Sequence, residues 1–108
     1  MKKPTKKIPT QKEIDAEIKW LTANKPKIRR ITFFKDNNHD AIDAQIEVLK
    51  NNLTDQQIDD KSWFEDDESL DLSKWSPHTR DSAMQVYSWL NGYTAEQPSK
   101  GWKGLVEK

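Results

Sequence analysis

The apolar residues of this chain never run more than two in succession, and they recur instead every three or four positions. That spacing places them on one stripe of a helix, so a core must be assembled from amphipathic helices. The clearest stripe is Ile42, Ile46, Leu49 and Leu53, flanked by Ala41 and Val48, and it predicts a helix over about 39–51. The same short runs exclude a membrane span and a signal-peptide core. At 108 residues the chain is long enough for one modest core. Hydrophobic and charged residues each make up 33%, a polarity that raises the question of disorder. Zero net charge, five Trp, three Phe and two Tyr argue instead for a folded, aromatic-rich domain.

Local signals place the helix ends. Thr10 and Glu13 have capping-box spacing, and Ile14, Ile18 and Leu21 follow at helical intervals until Asn24 and Pro26 close the element. Residues 27–35 give a divided signal. Thr32, Phe33 and Phe34 favour strand, whereas Ile28, Ile31 and Phe34 are spaced by three; a lone strand has no evident partner, which favours a short helix opening at Pro26. Asp36, Asn37 and Asn38 form a break and supply an N-cap for the 39–51 helix, which Asn51 and Asn52 end. Thr54 with Gln57 repeats the capping box and starts a short helix around Ile58. Ser76 caps a helix whose first residue is Pro77, with Ala83, Met84, Tyr87 and Leu90 on one face and Val86 and Trp89 widening it. Asn91 and Gly92 give its left-handed stop. The tail around Trp102 reads as an irregular strap or one helical turn.

Charge is unevenly distributed along this neutral chain. Residues 1–35 hold eleven bases against three acids, a surplus of eight positive charges; residues 36–108 hold seven against fifteen, a surplus of eight negative ones. Complementary fields of this kind steer association more than they fix a fold. Residues 1–9 read as a basic flexible arm and residues 10–108 as a single helical domain. Eight acids and one Lys fall within residues 55–71, and carboxylates so placed can imitate a phosphate backbone. The candidate acidic face comprises Asp59, Asp60, Glu65, Asp66, Asp67 and Glu68, with Trp63 as an aromatic anchor. The alternative is a basic patch of Lys25, Lys27, Arg29, Arg30 and Lys35, with Phe33 and Phe34 beside it for stacking on bases.

Reaction chemistry finds little footing. There is no cysteine, so thiolate metal sites and disulfides are excluded, and a reducing cytoplasm is expected. Asp36, Asn38, Asp40 and Glu47 match positions of a calcium loop, yet Ala41 replaces its glycine and Asp43 its apolar residue, within the best amphipathic helix. No metal site is therefore expected. His39 and His78 sit at helix starts and read as exposed surface groups. All three glycines follow residue 91, which leaves no phosphate loop, and no serine lies in a nucleophile motif. The expectation is no catalysis and no cofactor.

The run Ala41-Ile42-Asp43-Ala44-Gln45-Ile46-Glu47-Val48-Leu49, the segment Arg80-Asp81-Ser82-Ala83, the pair Trp89-Leu90 and the closing Pro98-Ser99-Lys100-Gly101-Trp102 resemble small accessory proteins of proteobacterial phages and prophages, over roughly residues 13–106. The resemblance carries no catalytic or binding residues. It implies a cytoplasmic product of a mobile element that binds and redirects a host protein or protein complex, including a defence system.

The fold expected is all-α, a small bundle of about four helices with an irregular C-terminal strap. The function expected is a non-enzymatic interaction protein that binds a host macromolecule through a charged surface, with inhibition of a host defence complex as its sharpest form. A small nucleic-acid-binding protein using the basic first third is the alternative. No membrane partner is expected, and the sequence leaves oligomeric state open.

Overall fold

Helices start in this protein where a side chain can satisfy amides that have no intrahelical partner. Thr10 Oγ1 accepts from the Glu13 amide at 3.2 Å while the Glu13 carboxylate accepts from the Thr10 amide at 3.3 Å, opening α1 (Gln11–Asn24). Asn37 Oδ1 accepts from the His39 amide at 2.9 Å and opens α2 (Asn38–Asn51). The Thr54–Gln57 capping box opens α3 (Asp55–Asp60), and Ser76 caps α4 (Pro77–Leu90) with Pro77 where its missing amide costs nothing. A final turn, α5 (Lys100–Lys103), completes the element order. The computed structural model describes residues 8–33, 36–62 and 74–106, apart from the side chains of residues 31–33 and 36.

The stops are as local as the starts. Asn52 adopts a left-handed conformation with φ 49°, which asparagine tolerates better than most residues. After α4, Gly92 takes φ 75°; its amide donates to the Trp89 carbonyl, and the Tyr93 amide donates to the Ser88 carbonyl at 2.9 Å. This pair of bonds is the Schellman closure that requires a residue free to take positive φ.

The architecture is a small helical bundle. α2 is its central element, packed chiefly on α4 and also on α1, while α3 covers part of α4. The core joins Leu21, Ile42, Val48, Leu49, Ile58, Ala83, Val86, Trp89 and Trp102. Two expected faces are rotated from their sequence assignment. On α2 the buried set is Asn38, Ala41, Ile42, Ala44, Gln45, Val48 and Leu49, and Ile46 lies at the margin. On α4 the buried set includes Thr79, Ser82, Ala83, Val86, Trp89 and Leu90, with Met84 and Tyr87 partly covered. The buried faces include polar residues, Gln45 on α2 and Thr79 and Ser82 on α4, which pattern reading by large apolar residues overlooks.

Residues 27–35 correct the expected short helix. Pro26 opens only a 3-10 turn, Lys25–Lys27, after which Ile28 is extended at φ −104°, ψ 134°. β1 (Ile31–Phe33) then pairs antiparallel with β2 (Asp36–Asn37), with Ile31 opposite Asn37 and Phe33 opposite Asp36. The break residues themselves are the partner that a strand here was expected to lack. Phe34 and Lys35 lie outside the described residues, as does residues 1–7 of the expected basic arm. Of its remaining two residues, Ile8 is exposed and Pro9 is buried.

Ile42 is fully buried in the core, so Ile42→Ala is expected to cost about 2–5 kcal/mol in denaturant melts, and Ile46→Ala distinctly less. Equal costs would place the core on the wrong face of α2. Tyr87, partly buried, has its phenol raised above the ordinary value of 10.0, first by burial and then by the charge of Asp55. The folded state therefore holds that proton longer than the unfolded one. Its contribution is complete below pH 10 and declines as pH rises through the raised value. Melts between about pH 9 and 11 are expected to show a steeper alkaline loss for the parent protein than for Tyr87→Phe.

Candidate charged interaction surface

Three successive main-chain carbonyls explain why the basic segment takes its observed shape. The Ile28 carbonyl accepts from His39 Nε2 at 2.8 Å, the Arg29 carbonyl from Asn38 Nδ2 at 2.9 Å, and the Arg30 carbonyl from the Asn38 amide at 2.7 Å. A carbonyl cannot donate, so the His39 ring carries its hydrogen on Nε2. In a helix these carbonyls would bond amides four residues onward; here the start of α2 captures them and holds the segment extended. Ile28 turns inward, buried, and forms an antiparallel bridge with Val106. The side chains of Lys27, Arg29 and Arg30 turn outward, exposed, and make no ion pair among the described residues. Lys25 does not share that freedom, because its Nζ lies 2.6 Å from Asp43 Oδ1.

The C-terminal strap lies along the second half of α1. The buried Glu17 carboxylate accepts from the Ser99 amide at 3.0 Å and from Ser99 Oγ at 2.9 Å. One turn farther along α1, Lys103 Nζ stands 5.9 Å from the centre of the Trp20 ring. Trp102 is buried and donates from Nε1 to Gln45 Oε1 at 2.7 Å, and Gln45 Nε2 donates to the Ser82 carbonyl at 3.1 Å. The strap ends at the Ile28–Val106 bridge. Lys100 and Lys103, both exposed, are thereby returned from the acidic part of the sequence to the side occupied by the basic part.

The expected acidic face is only partly described. Trp63, Glu65, Asp66, Asp67 and Glu68 lie outside the described residues. Asp59 is half-buried and occupied: its Oδ1 accepts from Arg80 Nε at 2.9 Å and Nη2 at 2.8 Å, tying α3 to α4. Asp60 is exposed and accepts from Gln56 Nε2 at 3.1 Å within α3. Glu47, on α2, pairs with Lys61 at 3.5 Å.

Both histidines depart from the exposed positions expected of them. His39 is half-buried through its bond to Ile28. His78 is half-buried with its ring edge-on to Trp102, centroids 6.4 Å apart, and its Nε2 has no hydrogen-bond partner among the described residues. The buried hydroxyls hold structural bonds: Ser62 Oγ to the Ile58 carbonyl, Ser82 Oγ to the His78 carbonyl, and Ser99 Oγ to Glu17. The calcium-loop spacing is realised as helix from residue 38 onward, not as a ligand loop. Among the described residues no helix is long and apolar enough to cross a membrane.

Sequence reasoning missed the parts that build this surface: Glu17, Gln45, Asn38 and the returning lysines of the strap. Each depends on a partner distant in sequence, and no spacing rule announces it. Set against known proteins, the chain matches no family model, no curated protein and no solved structure.

The Glu17–Ser99 contact sets the position of the strap, and Glu17→Ala leaves both Ser99 donors buried without an acceptor. The expected loss is about 1.5–3 kcal/mol, with Glu17→Gln intermediate because one oxygen acceptor remains. Amide exchange by NMR is expected to accelerate first at Ser99 and Trp102. Unchanged exchange there in Glu17→Ala would mean that Trp102 and the Val106 bridge hold the strap without Glu17.

Proposed function

We propose that this protein acts by binding rather than by catalysis, and that its working surface is the basic edge formed by Lys27, Arg29 and Arg30. The partner is a macromolecule with an acidic surface. In the setting that the phage resemblance implies, it is a host macromolecule, with a defence complex as one such target.

The observation that carries this reading is that these three cations are exposed without an ion pair among the described residues, while the main chain of residues 28–30, which carries both arginines, is fixed at three carbonyls. A cation already paired must exchange one partner for another, and little is gained. A free cation on a fixed main chain loses less ordering entropy when it meets a carboxylate or phosphate. The described part of the acidic run supports the opposite surface less well, because Asp59 is committed to Arg80. The buried serines support a non-catalytic role, since each donates to a structural acceptor rather than facing a base.

Immobilised heparin tests the basic edge with a defined polyanion. This neutral protein is expected to be retained at low salt. Arg29→Gln with Arg30→Gln is expected to elute at clearly lower salt, and Asp60→Asn at the same salt or higher. Flow-through of the parent protein, or identical elution of all variants, overturns the assignment.

A further inference from the structure

The Ile28–Val106 bridge does more than anchor the strap, because its register decides what stands beside the arginines. Arg29 follows Ile28 and Leu105 precedes Val106, so the antiparallel bridge brings these two neighbours close in space. Ile28 is a core residue and Val106 packs partly buried against the core, which leaves Arg29 and Leu105 as their solvent-facing neighbours. Their exposure agrees: Arg29 is exposed and Leu105 keeps 50% of its surface accessible.

Leu105 is one of three large apolar side chains so exposed among the described residues. Tyr93, another, has its ring 6.5 Å from that of Tyr87, and Ile8 precedes α1. Leu105 is set apart by its neighbours: Arg29 beside the bridge, Lys27 at the end of the 3-10 turn that leads into it, and Lys103 two residues before Leu105. An aliphatic side chain gains little from a phosphate backbone, whose contacts are made by cations and hydrogen-bond donors. It gains when a partner's apolar side chain covers it while carboxylates meet the cations around it. This arrangement favours protein over nucleic acid.

Resting on the reading of the basic edge given above, we infer that the C-terminal strap completes that edge into a docking site for an acidic protein segment bearing an aliphatic residue among its carboxylates. Arg29 and Lys27 take the carboxylates, Leu105 takes the aliphatic side chain, and Lys103 borders the site from the strap. The site is composite, made from the two ends of the sequence.

Fluorescence anisotropy with three labelled probes tests this on the full chain. The probes are a Glu/Ser peptide, the same peptide with one central Ser replaced by Leu at equal charge, and a duplex DNA. The Leu-containing peptide is expected to bind about tenfold tighter than the Glu/Ser peptide, the gain of covering one aliphatic side chain. Leu105→Ser is expected to erase that ratio and leave the Glu/Ser peptide unaffected, whereas Arg29→Gln weakens both. Equal affinity of the two peptides for the parent protein overturns the inference without any variant, and so does a ratio that survives Leu105→Ser. Duplex DNA binding tighter than either peptide overturns it in favour of a nucleic-acid surface. If none of the three binds, the basic edge itself fails as the working surface, an outcome distinct from two peptides bound equally.

Discussion

Gln45 stands where α2, α4 and the C-terminal strap meet, and its amide is buried because both ends are satisfied. Its carbonyl accepts from the Trp102 indole and its NH₂ group donates to the Ser82 carbonyl. A buried amide with one end unpaired costs roughly 1–3 kcal/mol, so the bonds hold one another in place. The consequence is geometric. Trp102 can enter the core only with its indole nitrogen aimed at Gln45, and that fixes the rotation of α5. Glu17 repeats this arrangement on the other side of the strap. A small, polar sequence thus uses directional contacts to define packing that a larger apolar core would settle by volume.

This division of labour explains which features could be read from sequence. The caps at Thr10, Thr54 and Ser76 and the stop at Gly92 were legible because each is settled within about five residues. Fold class followed, since once the ends and the 3.6-residue spacing are known, little besides a helical bundle accommodates four such segments. The strand at residues 31–33 was only half legible, since Thr32, Phe33 and Phe34 favour strand but the segment shows no partner for one. Its extended geometry comes from Asn38 and His39 capturing the carbonyls of residues 28–30, and a window that reads 27–35 alone contains no trace of those donors. The rotation of the α2 and α4 faces has a related cause. Gln45 and Ser82 are buried polar residues of the two helices, and a pattern search weighted toward Ile, Leu and Met passes over them.

The charged surface was half legible. The segregation along the sequence is real, but folding does not carry it unchanged to the surface. Lys25 with Asp43, Lys61 with Glu47 and Arg80 with Asp59 each join charges separated by at least fourteen positions, and they remove both partners from the free surface. Lys100 and Lys103 move the other way, from the acidic stretch of sequence to the flank of α1. Lys27, Arg29 and Arg30 could be named as a patch from sequence, whereas their neighbours could not, because the Ile28–Val106 bridge closes a loop of nearly eighty residues.

That long closure links stability to the proposed function. The strap is held at Glu17, at Gln45 and at Ile28, and the last of these contacts is also the one that sets Leu105 beside Arg29. Loosening the strap at its first anchor therefore does more than expose Trp102. It withdraws the apolar half of the proposed docking site while the arginines, fixed by the start of α2, stay in place. Charge attraction and apolar contact are thus carried by separate supports, one local to the first half of the chain and one delivered by its far end. A partner that reads both will sense whether the strap is seated, and one that reads charge alone will not.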